Sequence, residues 1–506
     1  MGVTDHGRYR VLSAHPVSVV REAERELMAR LPPGALMKRA ATGLAVECAR
    51  TLPRVYGSRI VLMVGSGDNG GDALYAGADL AARGAAVRAL TVGSRLHEEG
   101  AAALRAAGGR VRAFSESEED EADLFGADLI VDGLLGIGGR GGLREPYTAL
   151  AVTAVNAPAP VVAVDLPSGI DADTGEVSGH AVRADVTVTF GTYKPGLFVD
   201  PAAERAGRVV FVDIGLTPEL PGATVLRPQA ADIARLLPFP SAEEHKYSRG
   251  VLSVRAGSDR YPGTALLTVG GALRTGVGMV RYGGGPAVRD QVVACLPETI
   301  VEDVDPTRTA DLEPGRVDAV VVGPGRGTDT AHTDELRALL DSDVPVLVDA
   351  DGLNVLAGDR DLAERVLRRD AHTLLTPHAG ELARLLPDTD RADVEARRLE
   401  HATRAADSFG CTVLLKGSTT VIARPEAPAF VNSTGTPLLA TAGTGDVLSG
   451  VAGALLAVGL PAAEAAVCAA HVHGRAAALA RDGAPISASD LLGGLPLAMA
   501  EVRRAE

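Results

Sequence analysis

A run of glycines that leads into a single carboxylate is the segment of this chain that points most clearly to chemistry. The stretch ATAGTGDVLSG places Gly443, Thr444 and Gly445 directly before Asp446, at the expected start of a long helix. Uncovered backbone N–H groups form an anion hole, and a carboxylate beside them could deprotonate a hydroxyl while a phosphoryl group is transferred. The alternative is an acid that only complements the helix dipole. A plain cap needs no such run of glycines, so we favour the functional interpretation.

Polar residues also follow other apolar runs in the second half of the chain. Gly325 lies in the turn VGPGRG, His378 follows TLLTP, and Lys416 follows TVLL and precedes a hydroxyl-rich turn. A histidine placed directly after a strand and before a helix is most often a cap or a core residue. Both that interpretation and a ligand-binding one stay open for His378.

The first half contains a strand-like run, a glycine-rich turn and a helical stretch in direct succession. RIVLMV is followed by GSGDNGGD, which places Asp68, Asn69 and Asp72 among glycines. Glycines let the backbone approach a ligand, and the exposed amides of a helix start favour a phosphate. A tight strand-to-helix turn is the alternative, although it needs fewer polar side chains.

Two further strand ends in the first half carry oxygen-bearing side chains. Asp132 ends one apolar run, Asp165 and Ser168 follow another, and TFGTYKPG brings Lys194 toward the same edge. Such ends converge on one crevice in a parallel sheet. The side chains could be simple caps, or they could bind a hard cation, which prefers oxygen ligands.

The composition excludes several functional classes. The formal net charge is −15, aromatic residues make up 3% of the chain, and tryptophan is missing, which argues against nucleic-acid binding. Four dispersed cysteines favour reduced thiols, and no signal-peptide-like or membrane-spanning run is found, so we expect a cytoplasmic protein that does not bind membranes. Only four of the 50 basic residues are lysines, which suggests that a retained lysine serves a specific purpose.

These residues require two sets of alternating strands and helices to position them. Short aliphatic runs alternate with Ala- and Leu-rich helical stretches from about residue 59, pause at a proline-rich joint near residues 220–244, and resume to the end, where two long Ala-rich helices are expected. Such alternation predicts parallel sheets covered by helices. The expected fold is α/β, with a Rossmann-like doubly wound domain at residues 1–227 and a second α/β domain at residues 228–506, whose motifs resemble those of the ribokinase-like fold.

The first set of motifs resembles the NAD(P)H-hydrate epimerase family over about residues 10–220. The resemblance implies that hydrated NAD(P)H contacts two loops and one strand end, which comprise Asp68, Asn69, Gly70, Gly71, Asp72, Gly136, Ile137, Gly138, Gly139, Arg140, Gly141, Gly142 and Asp165. It also implies a potassium ion held by Asn69, Asp132 and Ser168. The chemistry would be inversion at the hydrated ring carbon, for which Asp165 is our preferred acid/base, with Lys194 as a cationic helper. This chain has Asp68 where the family often has Asn.

The second set resembles the ADP/ATP-dependent NAD(P)H-hydrate dehydratase family over about residues 240–500. The resemblance implies substrate contacts from Ala265, Gly325, His378 and Asp446, and nucleotide contacts from Lys416, Gly417, Ser418, Thr419, Thr420 and Gly445. Asp446 would activate the ring hydroxyl for phosphorylation by ADP or ATP, with Mg²⁺ neutralising phosphate charge. Thr436 and the Leu438–Leu439 pair stand where the family commonly has Asn and Gly–Met.

The two resemblances together predict a bifunctional repair enzyme for hydrated NADH and NADPH. The epimerase would convert the unusable R form into the S form that the dehydratase consumes, so the expected partners are small molecules. Two alternatives stay open, namely a ribokinase-type vitamin or sugar kinase with an accessory domain, and a first domain that only senses a ligand or binds a protein. An Ala-rich helical exterior would support homo-oligomer formation.

Overall fold

The computed structural model describes residues 11–139, 141–241, 243, 245–303 and 316–505. The chain divides into two compact units, of which one comprises Ser13–Val225 and the other includes Leu226–Glu506. Arg140, which was expected to contact substrate, lies outside the described residues.

The first unit is built on a parallel sheet that is covered by helices. Its strands, with those at the division between the units, are β1 (Leu12–Ala14), β2 (Arg59–Val64), β3 (Ala86–Thr91), β4 (Arg110–Ala113), β5 (Leu129–Gly133), β6 (Val161–Val164), β7 (Val186–Phe190), β8 (Arg208–Val212) and β9 (Val225–Arg227). Its helices are α1 (Val17–Met28), α2 (Ala35–Thr51), α3 (Asp68–Ala82), α4 (Glu98–Ala106), α5 (Glu118–Phe125), α6 (Tyr147–Asn156) and α7 (Ala203–Ala206). The sheet order is β4-β3-β2-β5-β6-β7-β8, and every neighbouring pair is parallel.

Strand β2 shows why this sheet needs helices on both faces. Ile60 and Leu62 belong to the hydrophobic cluster on one face, which contains residues of α2 and α3, whereas Val61 and Met63 belong to the cluster on the other face, which contains residues of α5 and α6. Successive side chains of a strand point to opposite faces, so an uninterrupted apolar run must be buried on both.

The second unit repeats the same winding and adds an antiparallel edge. Its strands are β10 (Val251–Arg255), β11 (Met279–Tyr282), β12 (Ile300–Val301), β13 (Ala319–Val322), β14 (Val346–Val348), β15 (Thr373–Leu375), β16 (Thr412–Leu415), β17 (Thr420–Ala423) and β18 (Ala429–Asn432). They run in the order β18-β17-β16-β15-β14-β13-β10-β11-β12. The pairs from β16 to β12 are parallel, whereas β17 pairs antiparallel with both β16 and β18.

The helices of the second unit include a closing group that forms much of its core. They are α8 (Ala230–Leu236), α9 (Pro262–Thr275), α10 (Pro286–Cys295), α11 (Thr330–Leu340), α12 (Asp351–Gly358), α13 (Arg360–Arg368), α14 (Ala379–Leu385), α15 (Arg391–Ala396), α16 (Arg398–Phe409), α17 (Thr444–Ala457), α18 (Ala462–Ala480) and α19 (Ala488–Arg503). Three long helices close the chain where two were expected. No helix in the described part of the chain has the length and apolarity needed to cross a bilayer.

The predicted α/β fold class is confirmed, and each apolar run predicted as a strand contains one. The Ala-rich helices differ from expectation in one respect. Helices α17 and α18 are mostly buried within their own unit and contribute to its core, rather than forming an exposed surface. Small side chains let helices pack closely, which explains the alanine content without an oligomer interface.

Candidate active sites

The first candidate site lies where the strand order of the first sheet reverses. The chain passes from β2 outward through β3 and β4, then returns to place β5 on the other side of β2. Ligands of open α/β sheets bind in the crevice at the carboxyl ends of the strands beside such a reversal. The backbones meet closely here, because a Cβ on Gly65 would overlap the carbonyl group of Leu134.

A buried ion pair lies at the carboxyl end of β6. Asp165 has a φ of 65°, which turns the chain sharply out of the strand. Its Oδ1 accepts hydrogen bonds from Lys194 Nζ at 2.5 Å, Thr189 Oγ1 at 3.1 Å and the Phe190 amide at 3.2 Å. Lys194 is only 1% exposed. All three bonds go to Oδ1, and among the described residues none is found to Oδ2, which is therefore the oxygen that could accept a proton from a ligand.

Asp132 and Ser168 form a second buried polar pair in the same crevice. Ser168 donates its hydroxyl to Asp132 Oδ1 at 2.6 Å and its amide to Oδ2 at 2.8 Å. Burial raises the pKa of Asp132 to about 6, although the donors from Ser168 and Leu134 lower it. No lysine or arginine within the described ranges forms an ion pair with Asp132.

Asn69 approaches the glycine loop that follows β5. It lies in the first turn of α3, and a Cβ on Gly136 would come within 2.8 Å of its Oδ1. The buried Nδ2 of Asn69 has no hydrogen-bond partner among the described residues. The structure therefore places Asn69 beside the loop. Asp132 and Ser168 are in direct contact with each other through hydrogen bonds.

The remainder of the glycine loop is positioned by backbone contacts. A Cβ on Gly142 would lie 2.9 Å from the Ser178 carbonyl oxygen, and Arg21 donates to the Ile137 carbonyl at 3.4 Å. Gly141 has a φ of 70°, which favours glycine. The residues of this loop that were expected to contact substrate and fall within the described ranges are Gly136, Ile137, Gly138, Gly139, Gly141 and Gly142.

A cluster of carboxyl groups lies within electrostatic reach of Asp165 and Lys194. Asp72 is 9% exposed, and its buried Oδ1 has no hydrogen-bond partner in the part of the chain described. Burial, followed by the charges of Asp165, Asp68 and Glu24, holds the pKa of Asp72 well above its usual range. Glu24 from α1 belongs to the same cluster, and burial raises its pKa too.

These acids open onto a cavity of about 770 Å³ within the first unit. Glu24, Asp68 and Asp72 line it together with apolar residues such as Met37 and Leu36. Sequence reasoning missed Glu24, because α1 carries many charged residues and resembles an ordinary solvent-exposed helix. The cavity combines an apolar wall with an acidic end, which suits a large polar molecule that carries an apolar ring.

The second candidate site lies at the corresponding edge of the second sheet. The strand order again reverses, here between β10 and β13, and the loops after β13, β14, β15 and β16 lie at one edge. Asp349 follows β14, His378 follows β15 and Lys416 follows β16. This arrangement brings Asp349, His378 and Lys416 to the same edge of the sheet.

Lys416 is held by two carboxylates. Its Nζ lies 2.7 Å from Asp349 Oδ1 and 3.7 Å from Glu381 Oε2. Burial lowers the pKa of Lys416, but Asp349 and Glu381 outweigh it, so the pKa lies above its usual value. Ser449 on α17 donates to the other oxygen of Asp349 at 2.7 Å. Asp349, Glu381 and Ser449 were not identified from the sequence, although Asp349 ends a predicted strand and the strand-end argument applies to it.

Asp446 lies in the first turn of α17, close to this lysine. Gly443, with a φ of 90°, is the N-cap, and a Cβ on Gly445 would lie 3.5 Å from Lys416 Nζ. Burial and then the charge of Asp349 raise the pKa of Asp446 to about 7, against the opposing effect of Lys416. The structure therefore brings together the anion-hole glycines, a lysine and a carboxylate that exchanges its proton near neutral pH.

His378 acts as the N-cap of α14. Its Nδ1 accepts from the Gly380 amide at 3.0 Å and the Glu381 amide at 3.2 Å, and Nε2 lies 3.4 Å from Glu381 Oε1. The cap interpretation that the sequence left open is therefore correct. More than half of the side chain remains exposed, so its Nε2 edge is also accessible to a ligand.

Ala265 and Gly325 lie near each other on the far side of the crevice. A Cβ on Gly325 would come within 2.5 Å of Thr264 Oγ1, and Ala265 is the next residue of α9. Thr264 also donates to the Pro324 carbonyl at 3.1 Å. Ala265 and Gly325 are far apart in the sequence, but the sheet brings their two segments together.

Residues 416–420 form the tight connection between β16 and β17. A Cβ on Gly417 would overlap the Arg398 guanidinium, whose Nη2 donates to the Lys416 carbonyl at 2.6 Å. Thr420 donates to the Gly417 carbonyl at 3.3 Å, and Thr419 is buried. The structure thus gives Gly417 and Thr420 roles within the turn, and Ser418 lies between them.

Comparisons with known proteins agree across both units. A family model described as NAD(P)H-hydrate dehydratase matches residues 252–493, and one described as YjeF-related protein N-terminus matches residues 33–196. The bifunctional NAD(P)H-hydrate repair enzyme Nnr of Mycobacterium leprae is 48% identical over 470 residues, which cover 92% of this chain and 93% of the relative. The protein of the same name from Gloeobacter violaceus is 39% identical over 459 residues, with 87% of each chain covered. Among solved structures, an ADP/ATP-dependent NAD(P)H-hydrate dehydratase from Bacillus subtilis, co-crystallized with ATP/Mg²⁺, is 30% identical, covers 54% of this chain and 97% of its own, and has a TM-score of 0.49.

Proposed function

The chain belongs to the family of bifunctional NAD(P)H-hydrate repair enzymes, and from this premise we propose how its residues divide the two reactions. It is an NAD(P)H-hydrate epimerase joined to a nucleotide-dependent NAD(P)H-hydrate dehydratase. We assign interconversion of the R and S hydrates to residues 1–227, and dehydration of the S hydrate to residues 228–506.

In the epimerase, Asp165 is the proposed base. Its free Oδ2 would take the proton of the ring hydroxyl, while the Lys194 ammonium on Oδ1 stabilises the carboxylate. Asp72 is the proposed proton donor, since its raised pKa keeps a proton available on a carboxyl with a free oxygen. Two carboxyl groups whose surroundings differ in this way can serve as base and acid. Ring opening with reclosure, or loss and return of water, would each invert the carbon.

Asn69, Asp132 and Ser168 are the proposed potassium ligands. Their donors are amide, carboxylate and hydroxyl oxygens, which suit a hard cation. The buried charge of Asp132 supports the fit, because no described lysine or arginine pairs with it. A bound potassium ion would supply that missing positive charge and orient the phosphates of the substrate. The remaining residues of the 68–72 and 136–142 loops would contact the hydrated coenzyme.

In the dehydratase, Asp446 is the proposed base for phosphoryl transfer. It would remove the proton of the ring hydroxyl, whose oxygen attacks the terminal phosphorus of ADP or ATP, and the bond from phosphorus to the bridging oxygen breaks. The carbon–oxygen bond then breaks to release phosphate, while the adjacent ring carbon loses a proton and the ring double bond returns. Gly445 and Lys416 would stabilise the transferring group, since both lie beside Asp446.

The nucleotide is proposed to bind residues 416–420 and Gly445, and the hydrated ring to bind Ala265, Gly325 and His378. Asp349, Glu381 and Asp446 give this edge an excess of negative charge over Lys416. No group of three His, Cys, Asp or Glu side chains in the described ranges could hold a metal without help. Mg²⁺ therefore fits as an ion that arrives with the nucleotide and offsets phosphate charge.

The proximity of Asp446, the glycine amides and Lys416 is the observation that carries the dehydratase assignment.

Four unpaired cysteines support the cytoplasm as the proposed compartment. A homo-oligomer is also proposed, but helices α17 and α18 do not support it, because their alanines are buried.

One assay tests both activities in the same protein. Mixed hydrate epimers are supplied with ADP or ATP and Mg²⁺, and the absorbance of reduced nicotinamide is followed. We expect full recovery from the wild-type chain. Asp446→Asn should recover none, yet still exchange the epimers. Asp165→Asn should recover only the S form, and asparagine tolerates the positive φ of this position, so the turn is preserved.

The outcomes separate the two assignments. Recovery of a single epimer by the wild-type chain would remove the epimerase assignment. Recovery of neither would remove the dehydratase assignment. Loss of both reactions in either variant would contradict independent sites.

A further inference from the structure

We infer that His473, which lies outside the candidate site, is a positioning residue that holds the Asp446 turn in place for phosphoryl transfer. This inference rests on the proposed dehydratase function and extends it to a residue on α18. His473 is only 6% exposed and lies near the middle of that long helix.

The contact that carries the inference is a hydrogen bond to the anion-hole turn. His473 Nε2 lies 2.9 Å from the carbonyl oxygen of Thr444, in a buried environment. Thr444 stands between the two glycines of the turn and is two residues from Asp446. A carbonyl can only accept a hydrogen bond, so Nε2 must carry the proton.

The imidazole of His473 can serve as a fixed hydrogen-bond donor, but it is poorly suited to proton transfer. The pKa of His473 is lowered to about 4, mainly by burial and to a smaller extent by the charge of Lys416, although the bond to the Thr444 carbonyl raises it. The side chain is therefore neutral at pH 7, and its tautomer is set by the Thr444 carbonyl. Because the charge of Lys416 influences the pKa of His473, the imidazole lies close to the candidate site.

The same turn of α18 holds the other end of the segment that leads to Asp446. Asn432 donates to the Ala470 carbonyl at 3.2 Å, and Thr434 donates to the His471 carbonyl at 3.1 Å. Between these anchors and Thr444, the segment passes through a short 3₁₀ helix, Pro437–Leu439, that has no fully buried residue. Thr444 donates its own hydroxyl to the Leu439 and Thr441 carbonyls, and the bond from His473 adds an anchor from α18 at the end of the segment nearest to the reaction.

Helix geometry alone does not fix this turn strongly. Gly443 has a left-handed φ of 90° and Gly445 has no side chain, so neither neighbour of Thr444 anchors the turn by a side-chain contact. Without the donor, the turn would populate other orientations, and Asp446 would be displaced from its position beside Lys416. Displacement of a catalytic group by about 1 Å is enough to slow a reaction strongly.

The test compares three variants in the full-length chain. His473→Leu removes the donor, and we expect the dehydratase kcat to fall about five- to tenfold, which is the effect of one neutral hydrogen bond. The KM for the nucleotide should change less than kcat does, because residues 416–420, which form most of the proposed nucleotide contacts, make no hydrogen bond to His473, and only Gly445 lies in the turn. His473→Gln, which places an N–H donor at similar reach, should restore most of kcat.

His471→Leu is the matched control. His471 is equally buried on the same helix turn, but its side chain interacts with Arg475 and Glu501 and makes no hydrogen bond to the 432–445 segment in the described part of the chain. Its kcat should stay within twofold of wild type. The epimerase rate should be unchanged in all three variants.

Several results would overturn the inference. These are wild-type kcat in His473→Leu, a His473→Gln variant as slow as His473→Leu, or an equal loss in His471→Leu. If His473→Leu does not fold, the kcat of His473→Gln is compared with that of His471→Leu. A His473→Gln variant that is much slower than His471→Leu would then overturn the inference. A wild-type chain without dehydratase activity would instead defeat the proposed function, and Asp446→Asn distinguishes that case.

Discussion

Each site contains a buried lysine paired with an aspartate at a strand end, but the pairs differ in which carboxylate remains free. Lys194 binds Asp165 itself, and it leaves the second oxygen of that same residue open. Lys416 binds Asp349, so Asp446 stands beside the pair without being its direct partner. The second arrangement makes the proposed base sensitive to protonation near neutral pH.

The pH dependence of the dehydratase should reveal this sensitivity. Burial raises the pKa of Asp446 to about 7, and a base acts only when deprotonated. We expect kcat/KM for the nucleotide, which reports on the free enzyme, to fall about tenfold per pH unit below 7 and to level above it. Stopped assays from pH 5.5 to 9, with circular dichroism to verify folding, measure this. A flat profile down to pH 5.5 would contradict Asp446 as the base.

At the scale of elements, helix α17 offers a matched pair of glycines. Gly443 at its start has a φ of 90°, and an added Cβ would come within 2.5 Å of Leu267 Cδ1. Gly459, just beyond its end, has a φ of 94° with nothing within 4 Å. The two positions share the backbone requirement, but only the first lies in the site.

Alanine at these two positions should therefore separate stability from activity. Each substitution is expected to lower the free energy of unfolding by about 1 kcal/mol or more through backbone strain. Only Gly443→Ala should also lower the dehydratase kcat, by about tenfold or more, because its turn carries Asp446. Urea denaturation and steady-state kinetics measure the two effects. Equal kcat in both variants would argue against a role for the turn.

Most of the elements that sequence reasoning identified are uniformly apolar and buried. Strand β13 and, after Arg59, strand β2 consist of consecutive apolar residues, which only a two-sided core explains. Strand β3 was identified as well, although Ala86 and Arg88 are exposed. Strand β4, with Arg110 and Arg112, was missed because it lies at the edge of its sheet, and the acids of α5 pair with Arg112. The antiparallel strands β17 and β18 were missed because the preceding alternation suggested further helices.

The site residues also divide into those that could be inferred from the sequence and those that could not. Asp132, Asp165 and Lys416 end apolar runs, so their position in the crevice could be inferred from the sequence. Glu24 and His473 could not be inferred, because each lies within a helix whose composition has a simpler explanation. Only the packing of α1 and α18 against other elements brings these two residues near a site.

At the scale of the whole molecule, we expect a diffusible intermediate to join the two reactions. The sites lie in separate compact units, and each set of proposed residues belongs to one of them. A mixture of Asp165→Asn and Asp446→Asn chains should therefore restore the repair of both epimers, since the S hydrate made by one chain can be used by the other. The measurement is the final absorbance of reduced nicotinamide. Failure of the mixture, with each single activity intact, would imply transfer within one chain.

The distribution of lysines makes the arrangement of the two units measurable. Lys194 and Lys416 are protected inside ion pairs, whereas Lys38 in the first unit and Lys246 in the second have exposed side chains. A bifunctional amine-reactive cross-linker thus has one lysine target in each unit. The longest spacer that fails to bridge them, and the shortest that succeeds, would bracket a single inter-unit distance by peptide mass spectrometry without any engineered label.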